Sequence, residues 1–243
     1  MQKFVKKGAR VVVKPNIGWD VSPDRAANTN PLLVKRIIEH CLNAGAKEVL
    51  VFDNTCDEWS LCYSNSGIER AVKDAGGKIA PGNTEGYYQK VSVKKGKRLT
   101  SAKVHEIILS SDVFINVPIL KNHSSAKLTM AMKNHMGIVW DRGFWHRNDL
   151  HQCIADFSSY RLPDLNILDA YNVMMQHGPR GVGKEDIVKM ESLLISTDIV
   201  AIDAAGAKLF GLNPADIPYI KTANDMGVGN MNLDKIKINR LKV

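Results

Sequence analysis

The stretch from ARVVVKPN (residues 9–16) to EVLVFDN (48–54) constrains the fold more than any other part of the chain. ARVVVKPN sets three β-branched residues in a row and ends on Pro15, which has no N–H to carry a ladder further, so it predicts a buried strand. In the intervening NTNPLLVKRIIEHCLNAGAK, Asn30 can cap a helix that begins at Pro31. Leu33, Ile37, Ile38, Cys41 and Leu42 form its apolar stripe, and Gly45 stands where a left-handed residue ends a helix. EVLVFDN is a second buried strand. A strand, a crossover helix and a parallel strand form a right-handed unit that needs a layer on each face.

The same alternation continues. A helix over 67–75, a short strand in KIAPG and a strong strand at VFINVPI (113–119) come next. Helices are then expected in AKLTMAMKNHMG (126–137) and DLHQCIADFSSY (149–160), strands in LNILDA (165–170) and SLLISTD (192–198), and a last helix in IVAIDAAGAKLFGL (199–212). The reading is one α/β domain over residues 1–243, with a mostly parallel sheet, helices on both faces and Rossmann-like layering. No dinucleotide fingerprint G-x-G-x-x-G follows the first strand, and no Walker sequence is present. The segment 140–149, WDRGFWHRND, is expected to be an exposed functional loop.

In open parallel sheets the ligand crevice lies beyond the carboxyl ends of the strands. Those positions hold Lys14 and Asn16, Asp53 and Asn54, Lys121 with Asn122 and His123, Asp169, and Thr197 with Asp198. Lys133 and Asn134 follow in the next helix, and His151 precedes an apolar one. The glycine-rich HGPRGVGKED (177–186) offers backbone amides, Gly178 among them, that can cradle an anion, although a plain mobile loop explains the same composition. The ammonium groups of Lys14, Lys121 and Lys133 suit a carboxylate or phosphate. His123 or His151 suits proton transfer, and Asp53 or Asp169 suits orienting a histidine or binding a divalent cation.

A formal net charge of +8 favours anionic ligands, but Lys and Arg are spread along the chain. The densest run, VKKGKR at 93–98, has Gly96 at its turn and aromatics at only 7% of the chain, so it reads as a solvated hairpin tip and nucleic acid is set aside. No apolar run approaches the roughly 20 residues of a membrane span. Cys41, Cys56, Cys62 and Cys153 form no C-x-x-C pair, and no H-E-x-x-H or calcium loop occurs. Cys56 and Cys62 share one loop-like segment, where they could bridge, ligate something such as iron, or merely be neighbours.

With those residues set out, the chain resembles the domain-of-unknown-function family 362. The resemblance is carried by VVVKPNIGWD with ANTNP, GAKEVLVFDNT, INVPILKNHSSAKLTMAMKNHMG, LHQCIADFSSYRLPDLNILDA and TDIVAIDAAGAKLFGL. It stresses Lys14, Pro15, Asn16, Asp53, Lys121, His123, Lys133, Asn134 and Gly137, then His151, Asp156, Asp164, Asp169, Gly178, Pro179, Asp198 and Asp203. Asp156 and Asp203 enter by resemblance alone, Asp203 with Asp53 as a metal candidate. The family occurs beside ferredoxin-type domains, which implies a ferredoxin-like partner. The ferredoxin cysteine run itself is absent from this chain, so any cofactor is expected to be a divalent metal or iron rather than a resident cluster. Relatives with the NTC variant carry an upstream twin-arginine signal, which implies periplasmic export if such a leader precedes Met1 and a cytoplasmic protein otherwise. The functions open at this stage are an enzyme on a small carboxylate or phosphorylated substrate, a redox accessory, and a non-catalytic metabolite-binding module.

Overall fold

A computed structural model describes residues 1–242. The central sheet has eight strands: β1 (Arg10–Pro15), β2 (Glu48–Val51), β3 (Lys78–Ile79), β6 (Val113–Val117), β7 (Ile119–His123), β8 (Lys127–Thr129), β9 (Leu165–Met174) and β10 (Ile187–Ser196). Two further strands, β4 (Tyr88–Ser92) and β5 (Ser101–His105), form a separate hairpin with the basic run at its tip. The strand order β3-β2-β1-β6-β9 is parallel throughout. The α/β architecture and mostly parallel sheet expected from the sequence are therefore present.

Helices cover both faces. α1 (Pro31–Asn43), α2 (Trp59–Asn65) and α3 (Ile68–Asp74) pack Val34, Ile38, Cys62 and Val72 against Val11, Val13, Val49, Val51 and Ile115. On the opposite face Val12, Leu50, Phe114 and Leu168 meet α4 (Glu106–Ser110), α7 (Leu150–Ser158), α8 (Ile199–Leu209) and α9 (Pro218–Asp225), which contribute Ile108, Ile154, Phe157, Ile202 and Ile220. α1 starts and stops as its sequence dictates. The Asn30 side chain accepts from Leu32 N, Pro31 takes the first position, and Gly45 adopts φ +99° just past the end.

Two departures matter for function. The helix expected over 126–137 is mostly another structure: β8 folds back antiparallel on β7, with Lys121 opposite Thr129, and only Ala131–Asn134 (α5) is α-helical before a 3-10 turn at His135–Ile138. The tight return is local chemistry. Nδ1 of His123 accepts from the backbone N–H of both Ser125 and Ala126, at 3.1 and 3.2 Å, and Lys127 takes φ +64°. Pairing with β7 then outweighs the helical propensity of the segment.

The second departure concerns β10, which runs antiparallel to β9. Its C-terminal end therefore lies at the other edge of the sheet, away from the ends of the parallel strands. Asp198 caps α8 there, accepting from Val200, Ala201 and Asn230 N–H. Asp169 likewise is not past a strand end but inside β9, where its carboxylate accepts the N–H of Asn30 at 2.8 Å and of Tyr171 at 3.1 Å. It anchors the entrance to α1.

Candidate functional site

The expected crevice exists at the C-terminal ends of β1, β2 and β7. It is a cavity of ≈ 390 Å³ whose floor is set by Lys14, Asn16, Asp53, Lys121 and Asn134 and whose wall is set by His123, Thr129, Lys133, Arg142 and His146. The loop between β1 and α1 is folded across this end of the sheet. Thr29 donates its hydroxyl to Val117 O at 2.7 Å and accepts from Asn16 N at 2.8 Å, while Asn28 closes on both backbone groups of Trp19. Thus ANTNP shapes the rim.

Lys14 is fully buried; its Nζ donates to Pro15 O at 2.7 Å and Asn134 Oδ1 at 3.0 Å and forms an ion pair with Asp53 Oδ1 at 2.7 Å. Two hydrogen bonds and a buried counter-charge hold this lysine as an ammonium. Asp53 is equally committed, since Oδ2 takes the N–H of Ile17 at 2.6 Å. Burial pushes the Lys14 pKa down and the Asp53 pKa up, and their mutual attraction opposes both shifts. Asn134 extends the network by donating to Lys14 O and to Asn116 Oδ1.

Gly137 lies directly against this pair. A Cβ there would stand 1.7 Å from Asp53 Oδ1 and 2.7 Å from Lys14 Nζ. Neither group can retreat, because both are hydrogen-bonded on their far sides. Gly137→Ala is expected to destabilise the fold by about 1–3 kcal/mol, seen as a lower urea midpoint with unchanged slope.

The remaining cations are differently placed. Lys121, 1% exposed, donates to Asn16 Oδ1 at 3.1 Å and to Ala27 O. Desolvation, followed by repulsion from Lys133, draws its pKa down to about 7. Lys133 meets only the thioether of Met136, at 3.6 Å, and burial takes it to about 8. Arg142 holds Asn54 O at 2.6 Å and Thr55 O. Among the described residues none of these three cations forms an ion pair, and the one carboxylate lining the cavity, Asp53, is already taken by Lys14.

His123 enters this wall as a neutral ring. Desolvation, then Lys133 and Lys121, push its pKa down to about 2. With Nδ1 accepting from two backbone N–H groups, the proton resides on Nε2 and the ring is a hydrogen-bond donor there. Thr129, 3% exposed, has a hydroxyl with no partner among the described residues.

Of the residues singled out from sequence, Lys14, Asn16, Asp53, Asn54, Lys121, His123, Lys133 and Asn134 line the cavity, together with Cys56, Gly137 and Pro179. His151, Asp169, Gly178 and Asp203 do not. His151 stacks on Tyr219 with ring centroids 6.1 Å apart. Gly178 fixes the 177–186 loop by donating to Asn122 Oδ1, and a Cβ there would lie 1.9 Å from Asn122 O. That loop is organised around buried Asp186, which pairs with His177 at 2.6 Å and accepts from Val182 and Gly183 N–H, so its amides point inward to a carboxylate.

Asp203 accepts from Ala131 N at 2.7 Å and Met132 N at 3.0 Å, holding the start of α5 and so the placement of Lys133 and Asn134. The two metal candidates are not brought together in the cavity: Asp53 lines it, with Oδ1 paired to Lys14 and Oδ2 accepting from Ile17 N–H, and Asp203 does not. Among the described residues no group of three or more His, Cys, Asp or Glu side chains converges to hold a metal. Asp156 accepts from Arg98 and Leu99 N–H and ties down the β4–β5 tip, and Asp164 accepts from Phe114 N. Cys56 is exposed at the cavity, but Cys62 is buried in α2 against Gly18 O with its thiol pushed up to about 12, so the two do not present a ligand pair.

Thr129, Arg142 and His146 were missed residue by residue. For the last two the signal was the charged, glycine-containing 140–149 segment; there Gly143–Arg147 forms a short helix (α6) that turns Arg142 and His146 to the cavity. Thr129 carried no signal, because its position depends on β8 pairing with β7.

A family model described as "Domain of unknown function (DUF362)" matches residues 11–208. A curated relative, the thylakoid-associated protein sll1697 of Synechocystis sp., is 26% identical over 242 residues, covering 94% of this chain and 71% of that protein. A crystal structure of a protein from Thermotoga maritima matches with a TM-score of 0.50 at 12% identity, over 91% of this chain. The chain spans 56% of the length of that structure, and the likeness is one of fold. Among the described residues no helix is long and apolar enough to cross a membrane.

Proposed function

The chain belongs to the DUF362 family, and we propose that its strand-end cavity binds a small, multiply charged anion, a carboxylate or phosphorylated compound, as an enzyme's substrate. One observation carries this reading: Lys121, Lys133 and Arg142 face a cavity whose lone carboxylate is neutralised by Lys14. Lys121 is buried and Lys133 and Arg142 are half-buried, and cations so placed without a counter-charge raise the free energy of the empty protein. An anion that enters removes that cost, and its remaining oxygens meet the Nε2–H of His123 and the hydroxyl of Thr129. The volume suits a metabolite of modest size rather than a polymer.

The test separates binding from folding. Lys133 has no carboxylate partner, so Lys133→Met is expected to leave the unliganded melting temperature unchanged or higher while weakening anion binding at least tenfold. Calorimetry with orthophosphate, pyrophosphate, oxalate and succinate at low ionic strength measures the second effect, where screening is weakest. Equal affinities in the two proteins would overturn the reading.

A further inference from the structure

The three lysines that line the cavity differ in what surrounds each nitrogen, and those partners decide which of them can be an amine. Lys14 has two hydrogen-bond acceptors and a buried counter-charge, Asp53, and is fixed as an ammonium. Lys121 has two, Asn16 Oδ1 and Ala27 O. A neutral amine has two N–H bonds and one lone pair. When its two N–H bonds go to those acceptors, the lone pair takes the remaining direction, and the residue lines the cavity.

The surroundings reinforce this state. Lys121 is 1% exposed, forms no ion pair among the described residues and is repelled by Lys133. A desolvated lysine beside another cation is a means of keeping an amine nucleophilic at neutral pH. Directly across the β7–β8 ladder stands Thr129, 3% exposed, whose Oγ1 is without a hydrogen-bond partner among the described residues. A buried hydroxyl without a partner, on a residue that lines the cavity, points to a ligand oxygen that completes it.

Resting on the anion-pocket reading, we propose that Lys121 is a nucleophile that forms an imine with the carbonyl carbon of a small 2-oxo acid, whose carboxylate is held by Lys133 and Arg142. The lone pair of Nζ forms a bond to the carbonyl carbon while the C=O π pair moves to oxygen. That oxygen takes up a proton and Nζ loses one, with Thr129 as the hydroxyl that serves the new carbinolamine oxygen. The C–O bond then breaks, the oxygen leaves as water on receiving a second proton, and the nitrogen lone pair forms C=N; the iminium nitrogen then gives up its remaining proton, replacing the one the departing water took. Amine and carbonyl become imine and water, and no oxidant or further reactant enters.

The experiment is reductive trapping. The whole chain is incubated with glyoxylate, pyruvate or 2-oxoglutarate and cyanoborohydride, then analysed by intact mass and peptide mapping. One adduct per chain on the peptide containing Lys121 is expected, absent from Lys121→Arg, which keeps the charge without the attacking amine. Thr129→Val, which preserves shape, should slow trapping at least tenfold and by a larger factor than it weakens binding of the unreactive analogue lactate. This variant serves where Lys121→Arg fails to fold. The trapping rate of the wild type should also rise with pH and level off above about 7, as Lys121 loses its proton. Adducts scattered over surface lysines, or none at all while pyruvate and lactate bind equally, would overturn the imine and leave the anion pocket standing. No binding of either acid would remove both.

Discussion

Replacing Lys14 by methionine will lower the stability of the fold by roughly 3–5 kcal/mol, the largest effect expected of any single substitution here. Lys14 and Asp53 are 2.7 Å apart with side chains 0% and 3% exposed. Without the ammonium, the carboxylate of Asp53 keeps only the Ile17 N–H and stays out of water. Desolvation already pushes the Asp53 pKa up with Lys14 in place, and loss of the attraction pushes it further. A carboxyl whose folded pKa lies above its unfolded value adds stability below the unfolded pKa, and loses it as pH rises through the folded one. The variant is therefore expected to be strongest in mild acid and weakest at neutral pH. Urea midpoints at about pH 5 and about pH 8 measure this, with Lys14→Met/Asp53→Leu as the control that regains stability and loses the pH slope. A single variant as stable as the wild type at neutral pH would contradict the account.

The second large effect is expected at Asp203. Asp203→Ala strips two buried backbone N–H groups, those of Ala131 and Met132, of their acceptor, at about 1–3 kcal/mol each. It also frees the start of α5, which carries Lys133 and Asn134, so anion affinity should fall along with stability. Burial raises the Asp203 pKa from the ordinary carboxylate range to about 7, so in the wild type this group stabilises most below that ordinary range, and the benefit fades as pH rises through the raised value. The stability gap between wild type and variant is expected to be wider at about pH 5 than at about pH 8. Denaturant melts at the two values check the sign, and a gap that widens with pH would show that desolvation does not dominate at this site.

The consequences for function follow from how polar side chains are distributed between structure and ligand. Lys14, Asp53, Asn134 and Asp203 spend their hydrogen-bonding capacity on the protein itself, and they set the floor on which Lys121, Lys133 and Thr129 stand. A sequence motif weights all of these equally. Only the partners around each nitrogen, a buried counter-charge for Lys14 and none for Lys121, separate the lysine that holds the fold from the lysine that can react.

The chain's local signals determined a good part of this. The strands around Val11–Val13 and Val49–Val51, the helix capped by Asn30 and ended by Gly45, and the collection of Lys14, Asn16, Asp53 and Lys121 at one sheet edge follow from β-branched runs, caps and the geometry of parallel sheets. These depend on neighbours a few residues away. The β8 hairpin, the reversal of β10 that carries Asp198 to the far edge, and the sinking of Asp169 into β9 were decided by pairing partners distant in the chain. So was the division of labour among the lysines. Lys14 and Lys121 both follow apolar strand residues, and what differs is that one meets Asp53 and Asn134 while the other meets Asn16 and the carbonyl of Ala27. Local sequence places an ammonium at a strand end, and tertiary contacts decide how many of its protons are already spoken for.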